Sequence, residues 1–431
     1  MEQYNPWWVN EEDEDYTAWK ESAVKWTPEI LDKISLNPFS LNFVVGPRQV
    51  GKTTALKIFI HDALLKKQEP ESIFYYSCDE IPDFRELGEV LDSYLTFRNS
   101  RDIKSSVIIL DEITFVDMWE RAVKSRIDRN VFKNDTLIIT GSASSEILKQ
   151  RERFPGRRGQ GKDIVFHPLD FRQYVEIFTK SRLNLNEGSI GNPGETANLK
   201  NAMASNKVFT KTISGLFENY MKTGGFPVPI KEYYTSNKIS INSTRVYLEW
   251  LKGDWRKAGK SDRYMKEILS YIIKARLSPV SWNSISSETS INSPHTSRDY
   301  VEVLESIFAA KILHIIQPDG KIAYRKNKKI HLTDPFLYKI VSHFTKEEAY
   351  EETVLESVSV SHLMRKYEVY FWKNKSEVDS VIPYNTQDSK KQLGFEIKTK
   401  MKPWKKPAHL EDALVLDKGT LPLFLATVRW D

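Results

Sequence analysis

Short apolar runs recur along the first 140 residues, and each one ends in small or polar residues. They are Leu41–Val45, Ile73–Tyr76, Val107–Leu110 and Thr136–Thr140. Runs that are apolar throughout, instead of at alternate positions, are typical of strands buried on both faces of a parallel sheet. A further short strand is predicted from Asp163 to Phe166. The pattern therefore predicts an α/β domain in the N-terminal part of the chain.

The first run leads into a glycine-rich segment, Gly46-Pro47-Arg48-Gln49-Val50-Gly51-Lys52-Thr53-Thr54. It fits the P-loop pattern GxxxxGK[ST], in which backbone N–H groups surround the β-phosphate of a nucleotide. The pattern gives Lys52 the role of supplying positive charge and Thr53 the role of ligating Mg²⁺. The phosphates would lie at the N-terminus of a helix that starts near Lys52. The whole segment is predicted to bind ATP.

Two carboxylates, Asp111 and Glu112, end the run Val107–Leu110. In P-loop enzymes an acidic residue at the tip of the strand beside the P-loop strand holds Mg²⁺, and Asp111 is predicted to do so. Glu112 is then the candidate base for the attacking water, which favours hydrolysis over a nucleotide kinase. Asp79-Glu80 looks similar, but its strand follows the first helix directly and is expected at the outside of the sheet.

The run Thr136–Thr140 is followed by small hydroxyl residues, and Ser142 is predicted to sense the γ-phosphate. Downstream, Arg157 and Arg158 lie on a glycine-rich turn. In ring-forming ATPases an arginine at this point reaches the nucleotide of the neighbouring subunit and stabilises transition-state charge. Arg157 is the candidate for that role in a homo-oligomer. The alternative is a solvated basic loop.

The succession of these elements resembles a bacterial and archaeal family of AAA+-like P-loop ATPases whose C-terminal half is often nuclease-like. The resemblance is carried by VVGPRQVGKTT (44–54), VIILDEI (107–113), LIITGSAS (137–144), Gly156-Arg157, Pro168–Tyr174, Gly224–Pro227, Asp334–Phe336, SEVDSVIP (376–383) and FEIKTK (395–400). It implies a parallel-sheet ATPase domain with a helical extension over 1–230. A winged-helix domain over 231–340 and a small restriction-endonuclease-like α/β domain over 341–431 would follow.

Helical spacing of apolar residues from Asp262 to Leu277 predicts one amphipathic helix. A short helix over 281–287 and a third helix, capped by Ser293 with Pro294 in its first turn, complete a helix-turn-helix outline. A hairpin with strands over 313–316 and 321–332 would supply the wing. Phosphate contacts with DNA are predicted for Thr296, Arg298, Arg325, Lys326, Lys328 and Lys329. A protein-contact module with a solvated hairpin is the alternative.

In restriction-endonuclease-like sites a helix offers a glutamate, one strand an aspartate and the next strand a Glu-x-Lys triplet. The resemblance assigns these roles to Glu356, Asp379, Glu396 and Lys398. The three carboxylates would bind Mg²⁺, with Mn²⁺ as an alternative, and Lys398 projects from the same strand face as Glu396. Other acid-x-Lys triplets occur in the chain, so the triplet alone is a weak signal. Trp404, between Lys402 and Lys405, is predicted to touch nucleic acid.

Composition adds the cellular setting and the distribution of charge. The single cysteine, Cys78, excludes disulfides within the chain and suits a reducing compartment. No apolar run approaches the roughly 20 residues that cross a bilayer, so a cytoplasmic protein without a membrane partner is expected. The net charge of +5 is too small to identify a nucleic-acid binder. The basic surplus lies in the C-terminal half, with 16 Lys and Arg against 9 Asp and Glu over 251–340.

Together these features predict a Mg²⁺-dependent ATPase that acts on DNA and whose hydrolysis is coupled to a metal-dependent nuclease site. The alternative is a nucleotide-controlled switch or scaffold whose C-terminal domain binds DNA or protein without cutting it. Only Asp379, Glu396 and Lys398 separate the two hypotheses at the level of sequence.

Overall fold

Parallel strands form one five-stranded sheet in the N-terminal part of the chain. Their bounds are Ser40–Val45 (β1), Ile73–Ser77 (β2), Val107–Asp111 (β3), Thr136–Gly141 (β4) and Asp163–Val165 (β5). Strands β1, β3 and β4 are buried along their whole length. Burial on both faces explains why these strands are apolar at consecutive positions. The predicted α/β fold with a parallel sheet is confirmed for this part of the chain.

The strand order is β2-β3-β4-β1-β5. Strand β2 lies at an edge, which confirms the outer position predicted for the strand before Asp79. The prediction that Asp111 ends the strand beside the P-loop strand is wrong, because β4 lies between β1 and β3 and pairs with both. Since all these strands are parallel, Asp111 still lies at the same end of the sheet as the P-loop.

The structure is a computed structural model that describes residues 1–141, 154–190, 193–385, 390–400 and 403–430. It forms two compact units, Met1–His167 and Pro168–Asp431. The predicted boundaries at 230 and 340 both fall inside the second unit, and the division into three functional parts stays a prediction. Among the described helices, none is long and apolar enough to cross a membrane.

The α-helices described in the first unit are Glu14–Glu21 (α1), Lys52–Leu65 (α2), Phe84–Ser100 (α3) and Trp119–Asp128 (α4). Helices α1 and α3 each begin at an aspartate, Asp13 and Asp83, whose carboxylate accepts two hydrogen bonds from backbone N–H groups of the first turn. Such caps satisfy donors that have no partner within the helix. Helix α2 begins at Lys52, as the P-loop pattern predicts.

The N-terminal segment covers the free edge of β2. The side-chain amide of Asn5 donates to Tyr75 O at 3.0 Å and accepts from Tyr75 N at 2.7 Å, so it imitates a neighbouring strand. The indole N–H groups of Trp7 and Trp8 both donate to Ile73 O. An uncovered edge strand would offer these backbone groups to other chains. These tryptophans therefore complete the sheet.

The second unit is largely helical. Its described α-helices are Phe171–Thr179 (α5), Pro193–Asn206 (α6), Thr210–Thr223 (α7), Pro227–Ser236 (α8), Ile241–Lys257 (α9), Asp262–Ala275 (α10), Trp282–Ser287 (α11), Pro294–Ser306 (α12), Pro335–Thr345 (α13), Glu351–Leu363 (α14) and Leu421–Thr427 (α15). A continuous apolar core runs through this unit from Phe226 to Val341 and includes Trp255, Ile268 and Leu304.

Helices α10, α11 and α12 occur where the helix-turn-helix outline predicts them. Ile268, Leu269, Ile272 and Ile273 are buried on α10, as their spacing predicts. Ser281 caps α11 in a capping box. Ser293 precedes α12, but its side chain makes no capping hydrogen bond, so that part of the prediction is wrong.

A hairpin is present, but its strands are Ala310–His314 (β6) and Lys328–Leu332 (β7), paired antiparallel, so the predicted bounds 313–316 and 321–332 are wrong. It packs against the C-terminal strands of the same unit. Ile316 N donates to Phe371 O at 2.9 Å, and the side-chain amide of Gln392 donates to Gln317 O at 2.7 Å. These two hydrogen bonds hold the end of the hairpin against the C-terminal strands.

The C-terminal strands are Tyr370–Lys373 (β8), Glu377–Asn385 (β9), Lys390–Lys398 (β10) and Asp412–Asp417 (β11). They form a sheet in the order β11-β10-β9-β8, in which β8, β9 and β10 are antiparallel and β11 is parallel to β10. A helix over 408–414 and a strand over 421–427 are also predicted, and both predictions are wrong. The strand comes first, and 421–427 is a buried helix with Pro422 in its first turn.

Three of the motifs that carry the family resemblance meet around the buried carboxylate of Asp334. Its oxygens accept from Gly225 N and from Phe336 N, each at 2.8 Å. A Cβ at Gly224 would lie 1.8 Å from the carboxylate of Asp334, and Leu169 N donates to Gly225 O at 2.9 Å. Burial raises the pKa of Asp334 to about 6, against the effect of the two N–H donors. These motifs therefore hold helices together in the second unit.

Helix α14 contains a histidine that the fold keeps neutral. His362 is 1% exposed, and its Nδ1–H donates to Val358 O at 2.7 Å while Nε2 accepts from Phe171 N at 2.9 Å. Protonating Nε2 would set two N–H groups against each other. Burial, with the charge of Arg365, lowers the pKa of His362 to about 3. The folded pKa thus lies below the roughly 6.5 of an unfolded histidine.

We expect acid to destabilise the second unit through His362. A depressed folded pKa contributes stability above pH 6.5 and loses it as the pH falls towards 3, by about 3 kcal/mol between pH 7 and pH 4. Urea unfolding at these two pH values should show a smaller loss for His362→Gln than for the parent, because glutamine can still accept from Phe171 N and does not titrate. Equal losses in the two proteins would contradict this assignment.

Candidate functional site

The loop between β1 and α2 adopts a shape that needs its glycines. A Cβ at Gly46 would lie 2.2 Å from Phe166 O, closer than any side chain can approach. Gly51 has φ of 96°, in the left-handed region that glycine enters without steric cost. The chain can therefore turn sharply from the strand into the helix, and the N-terminus of α2 faces the loop.

Lys52 lies at the start of α2 and is almost completely buried. Its Nζ donates to Gly46 O at 3.0 Å and to Pro47 O at 2.9 Å, so the side chain lies across the loop. The backbone carbonyls hold the ammonium at the helix N-terminus, where a phosphate would be bound. Pro47, Arg48, Gln49, Val50 and Thr54 are the remaining predicted ATP-binding residues of this loop and first turn.

Asp111, at the end of β3, is the centre of a dense hydrogen-bond network. Its Oδ2 accepts from the Thr53 hydroxyl at 2.7 Å and from the Tyr75 hydroxyl at 2.9 Å. Its Oδ1 accepts from the hydroxyl of Thr140 and from Glu112 N. The predicted pair of metal-binding residues, Thr53 and Asp111, is therefore brought together. A hydroxyl and a carboxylate are the oxygen donors that Mg²⁺ prefers, so these residues fit that ion.

Tyr75 and Thr140 were not predicted to belong to this site. Tyr75 is on β2 and Thr140 on β4, the two neighbours of β3 in the sheet. Burial and the adjacent Asp111 carboxylate raise the pKa of Tyr75, so its hydroxyl stays a donor. Both residues are polar positions within apolar runs, which is the only sequence signal that could have singled them out.

A buried ion pair packs against the ring of Tyr75. Lys57 Nζ, on α2, lies 2.8 Å from the carboxylate of Asp13 and 3.5 Å from the centre of the Tyr75 ring. The ammonium is thus held by a carboxylate on one side and an aromatic face on the other. Lys57 fixes the ring whose hydroxyl orients Asp111. No local pattern connects these residues, because they are far apart along the chain.

Glu112 follows Asp111 in the left-handed conformation, with φ of 51°. A non-glycine residue in this region costs roughly 1–3 kcal/mol, which the surrounding structure must offset. The turn ends β3 and starts the short 3₁₀ helix Ile113–Phe115. Glu112 is half-buried and directly follows Asp111 in the chain, and its role as the base stays a prediction.

The arginines of the glycine-rich turn have partners within the unit. Arg157 pairs with Asp128, and Arg158 pairs with Asp163 at 2.7 Å. Arg157 remains partly exposed on its side of the pair. Its role towards a neighbouring subunit stays a prediction. Ser142, the predicted γ-phosphate sensor, lies outside the described residues.

The predicted C-terminal site gathers residues from one helix and two strands. Glu356 is on α14, Glu377 and Asp379 share a face of β9, and Glu396 and Lys398 share a face of β10. Asp379 Oδ2 accepts from Ile397 N at 2.8 Å, which fixes its carboxylate beside β10. Lys398 pairs with Glu396. Sequence reasoning missed Glu377, which lies two residues before Asp379.

A lysine occupies the centre of these carboxylates. Lys329 Nζ lies 2.6 Å from Glu377, 2.7 Å from Glu356 and 3.4 Å from Asp379. Lys329 is 1% exposed, so the prediction that it contacts DNA phosphates is wrong. Lys328 is also buried, with its ammonium 4.4 Å from the Trp282 ring, and the same prediction is wrong for it. Both lysines belong to β7, which packs inside the unit.

The pKa values of several side chains in this cluster are shifted. Burial and the neighbouring Asp379 raise the pKa of Glu356 to about 8 and that of Glu396 to about 7, although Lys329 and Lys398 act in the opposite direction. Burial alone would lower the pKa of Lys329, but the three carboxylates outweigh it and raise the pKa. These carboxylates therefore favour the charged form of Lys329.

As the carboxylates stand, they do not form a metal site. Within the described ranges, no group of three or more His, Cys, Asp and Glu is arranged to hold a metal ion. The predicted set Glu356, Asp379 and Glu396 therefore does not fit Mg²⁺ in this arrangement. The Lys329 ammonium lies between Glu356 and Asp379 instead.

The other predicted DNA contacts differ in their surroundings. Arg325 and Lys326 are exposed in the hairpin loop, and Arg298 is exposed on α12, where it pairs with Glu302 at 2.6 Å. Thr296 is half-buried on the same helix. Trp404 packs against the apolar cluster that contains Val378 and Leu410. The ring of Trp404 is therefore largely engaged in packing, while the exposed residues leave the predicted DNA contact open to test.

Comparison with known proteins gives two family matches. Residues 39–175 match the AAA domain, and residues 214–348 match a Domain of unknown function (DUF8612). No curated protein matches the chain. The first match agrees with the site geometry, because residues 39–175 contain the P-loop and the parallel sheet.

Distant similarity to solved structures is also found. The Aeropyrum pernix ORC2 protein in ADPNP-ADP complexes is 13% identical, with a TM-score of 0.38 over 71% of this chain and 88% of that one. The Aeropyrum pernix ORC1 protein in complex with DNA is 13% identical, with a TM-score of 0.32 over 70% and 86%. AMPPCP-bound DnaA from Aquifex aeolicus is 15% identical, with a TM-score of 0.31 over 64% and 86%. Likeness this distant identifies no ligand or partner of this chain.

Proposed function

We propose that the chain is a Mg²⁺-dependent ATPase that hydrolyses ATP at the P-loop. The observation that carries this proposal is the 2.7 Å hydrogen bond between Thr53 and Asp111. It brings a P-loop hydroxyl and a strand-end carboxylate into contact, although they lie on different elements of the sheet domain. The match of residues 39–175 to the AAA domain supports the same activity.

The chain's own residues divide the work of hydrolysis. The N–H groups of the loop and the N-terminus of α2 bind phosphate oxygens, and Lys52 exchanges its carbonyl partners for them. Glu112 orients the attacking water and accepts its proton, so that ATP and water give ADP and phosphate. Tyr75 and Thr140 hold the Asp111 carboxylate in one orientation. Thr53 and Asp111 would hold Mg²⁺, which would neutralise charge on the phosphate oxygens when bound.

We further propose that the energy of ATP hydrolysis is used by the C-terminal half of the chain to act on DNA. In this proposal α10–α12 and the hairpin form a winged-helix module. Residues 341–431 form a nuclease-like domain. Exposed Arg298, Arg325 and Lys326 support contact with phosphates. Assembly of several copies, with Arg157 reaching the next subunit, belongs to the same hypothesis. The fixed positions of Asp379, Glu396 and Lys398 on adjacent strands support the nuclease-like part.

A second candidate function is a nucleotide-controlled switch or scaffold that binds DNA or protein without cutting it. The observation that favours it is the position of Lys329 among the carboxylates, where a nuclease would hold its metal. The two candidates share the ATPase activity and differ only in what the C-terminal residues do.

DNA cleavage separates the candidates. Purified full-length protein would be incubated with labelled linear, circular, branched and single-stranded DNA, with Mg²⁺ or Mn²⁺ and with or without ATP. If the nuclease proposal holds, the parent cuts at least one substrate, and Asp379→Ala or Lys398→Ala removes cutting while phosphate release from ATP stays within about twofold. Asp412→Ala, a carboxylate on β11 outside the cluster, serves as the matched control and should cut like the parent.

The opposite results are equally clear. If no DNA is cut by the parent under any condition, the nuclease candidate is abandoned for the switch. If Asp379→Ala cuts as well as the parent, the cleavage comes from another site or from a contaminant.

A further inference from the structure

The carboxylates of the C-terminal cluster already hold a cation that belongs to the chain. An ammonium group has three N–H donors, and three carboxylates, those of Glu356, Glu377 and Asp379, lie within 2.6–3.4 Å of Lys329 Nζ. Every donor of the buried side chain thus has an acidic acceptor. Burying a lone ammonium would be strongly unfavourable, so these contacts are the reason why Lys329 can lie there.

The position of Lys329 results from strand alternation. Lys329 and His331 lie on one face of β7, and His331 Nδ1 contacts the hydroxyl of Ser357 on α14 at 3.1 Å. Lys328 points to the other face and lies over Trp282. The pairing of β7 with β6 therefore sets Lys329 against α14, beside Glu356.

A separate feature of the cluster is a buried carboxylate oxygen that no donor contacts. Glu396 is 4% exposed, and its Oε2 has no hydrogen-bond partner in the described part of the chain. Its other oxygen pairs with Lys398, and Asp379 is close enough to perturb it. Four carboxylates, Glu356, Glu377, Asp379 and Glu396, are thus gathered in the unit, and one buried carboxylate oxygen is left without a donor.

We propose that Lys329 acts as an internal cation that holds the C-terminal carboxylates closed, and that a divalent metal ion binds there only when the Lys329 ammonium is removed from them. Ammonium and divalent cation would compete for the same oxygens of Glu356 and Asp379. The inference rests on the nuclease-like part of the proposed function, whose regulation it describes. It also explains why the predicted metal ligands form no metal site around the lysine.

Manganese titration of nucleotide-free, full-length protein tests the competition. In isothermal titration calorimetry, Lys329→Met should bind Mn²⁺ at least about tenfold more tightly than the parent, because a unit charge a few ångströms from the ligands is removed. Lys328→Met is the matched control, since it removes the neighbouring buried lysine without touching the carboxylates, and it should bind like the parent. Adding Asp379→Asn to Lys329→Met should abolish the gained binding.

A second variant covers the case in which Lys329→Met does not fold. Glu377→Gln removes the negative charge from one of the three acceptors of Lys329, at a side chain that is 29% exposed, and leaves Glu356, Asp379 and Glu396 unchanged. It should raise the affinity for Mn²⁺ about two- to fivefold, because the ammonium is held less strongly. Circular dichroism spectra and thermal unfolding curves show which variants are folded.

Each outcome decides the proposal. Tighter binding in Lys329→Met or Glu377→Gln, with none in Lys328→Met, supports the competition. Equal affinity in the parent and the folded variants, or no binding in any of them, overturns it. Because the readout is the heat of Mn²⁺ binding, a chain that hydrolyses no ATP or cuts no DNA would refute the proposed function and leave this result intact.

Discussion

Lys52→Ala is expected to lower ATP turnover by roughly 10²–10³-fold or more, with the fold unchanged. The Lys52 ammonium lies at the N-terminus of α2 and contacts two loop carbonyls, Gly46 O and Pro47 O. Alanine removes an ammonium group that can follow the phosphates as negative charge shifts during their transfer. The measurement is steady-state phosphate release with saturating ATP and Mg²⁺.

The matched control for this variant is Lys66→Ala. Lys66 is exposed at the other end of the same helix, so its removal changes the charge of the protein equally without touching the loop. Turnover in Lys66→Ala should equal that of the parent. Normal turnover in Lys52→Ala would show that phosphate is bound elsewhere.

Glu112→Gln is expected to slow hydrolysis by about 10²–10⁴-fold while leaving ATP binding within a fewfold of the parent. Glutamine keeps the size of the side chain but cannot accept the proton of the attacking water. The left-handed backbone at Glu112 accommodates glutamine as it does glutamate, so the turn after β3 should persist. Single-turnover phosphate release and equilibrium binding of a fluorescent ATP analogue separate the two effects.

Glu80→Gln is the control for Glu112→Gln, because Glu80 follows the edge strand β2 in the same sequence context and is exposed. It should leave both hydrolysis and binding unchanged. If Glu112→Gln released phosphate as fast as the parent, Glu112 would not be the base. A loss of binding equal to the loss of hydrolysis would instead assign Glu112 to nucleotide binding.

The nucleotide site could be predicted from sequence because its residues lie in short, local patterns. Gly46 to Thr53 is one continuous segment, and Asp111-Glu112 follows one apolar run. The apolar runs do not reveal the order of the strands in the sheet. In the structure the crossover connections place β4 between β1 and β3. Tyr75, Thr140 and Lys57 were not predicted, because they reach the site from neighbouring strands and helices and not from the same local segment of sequence.

The C-terminal site shows where local pattern fails. Lys328 and Lys329 look like a charged, solvated hairpin in sequence, yet both are buried. The carboxylates that bind Lys329 lie 27 to 50 residues further along the chain. The period of two along β7 could have separated the faces of Lys328 and Lys329. The same period could not have shown that the Lys329 face of β7 lies against three carboxylates.

The swapped elements near the C-terminus have a simpler cause. Residues 421–427 are apolar almost throughout, and a short apolar run does not distinguish a buried strand from a buried helix. In the structure the run is a helix whose residues are all buried. In β11 Leu414 and Leu416 are buried, while Ala413 and Val415 are only partly buried. The sequence does not show this alternation of burial, because all four residues are apolar.

The most direct test of nucleotide binding at the P-loop, on which the proposed ATPase activity depends, is a crystal structure with a non-hydrolysable ATP analogue and Mg²⁺. The account predicts that the triphosphate lies on the N–H groups of residues 47–53, that Lys52 leaves Gly46 O and Pro47 O for phosphate oxygens, and that the metal is bound at Thr53 and Asp111. A structure in which Thr53 still donates directly to Asp111, with the nucleotide bound elsewhere in the chain, would contradict it.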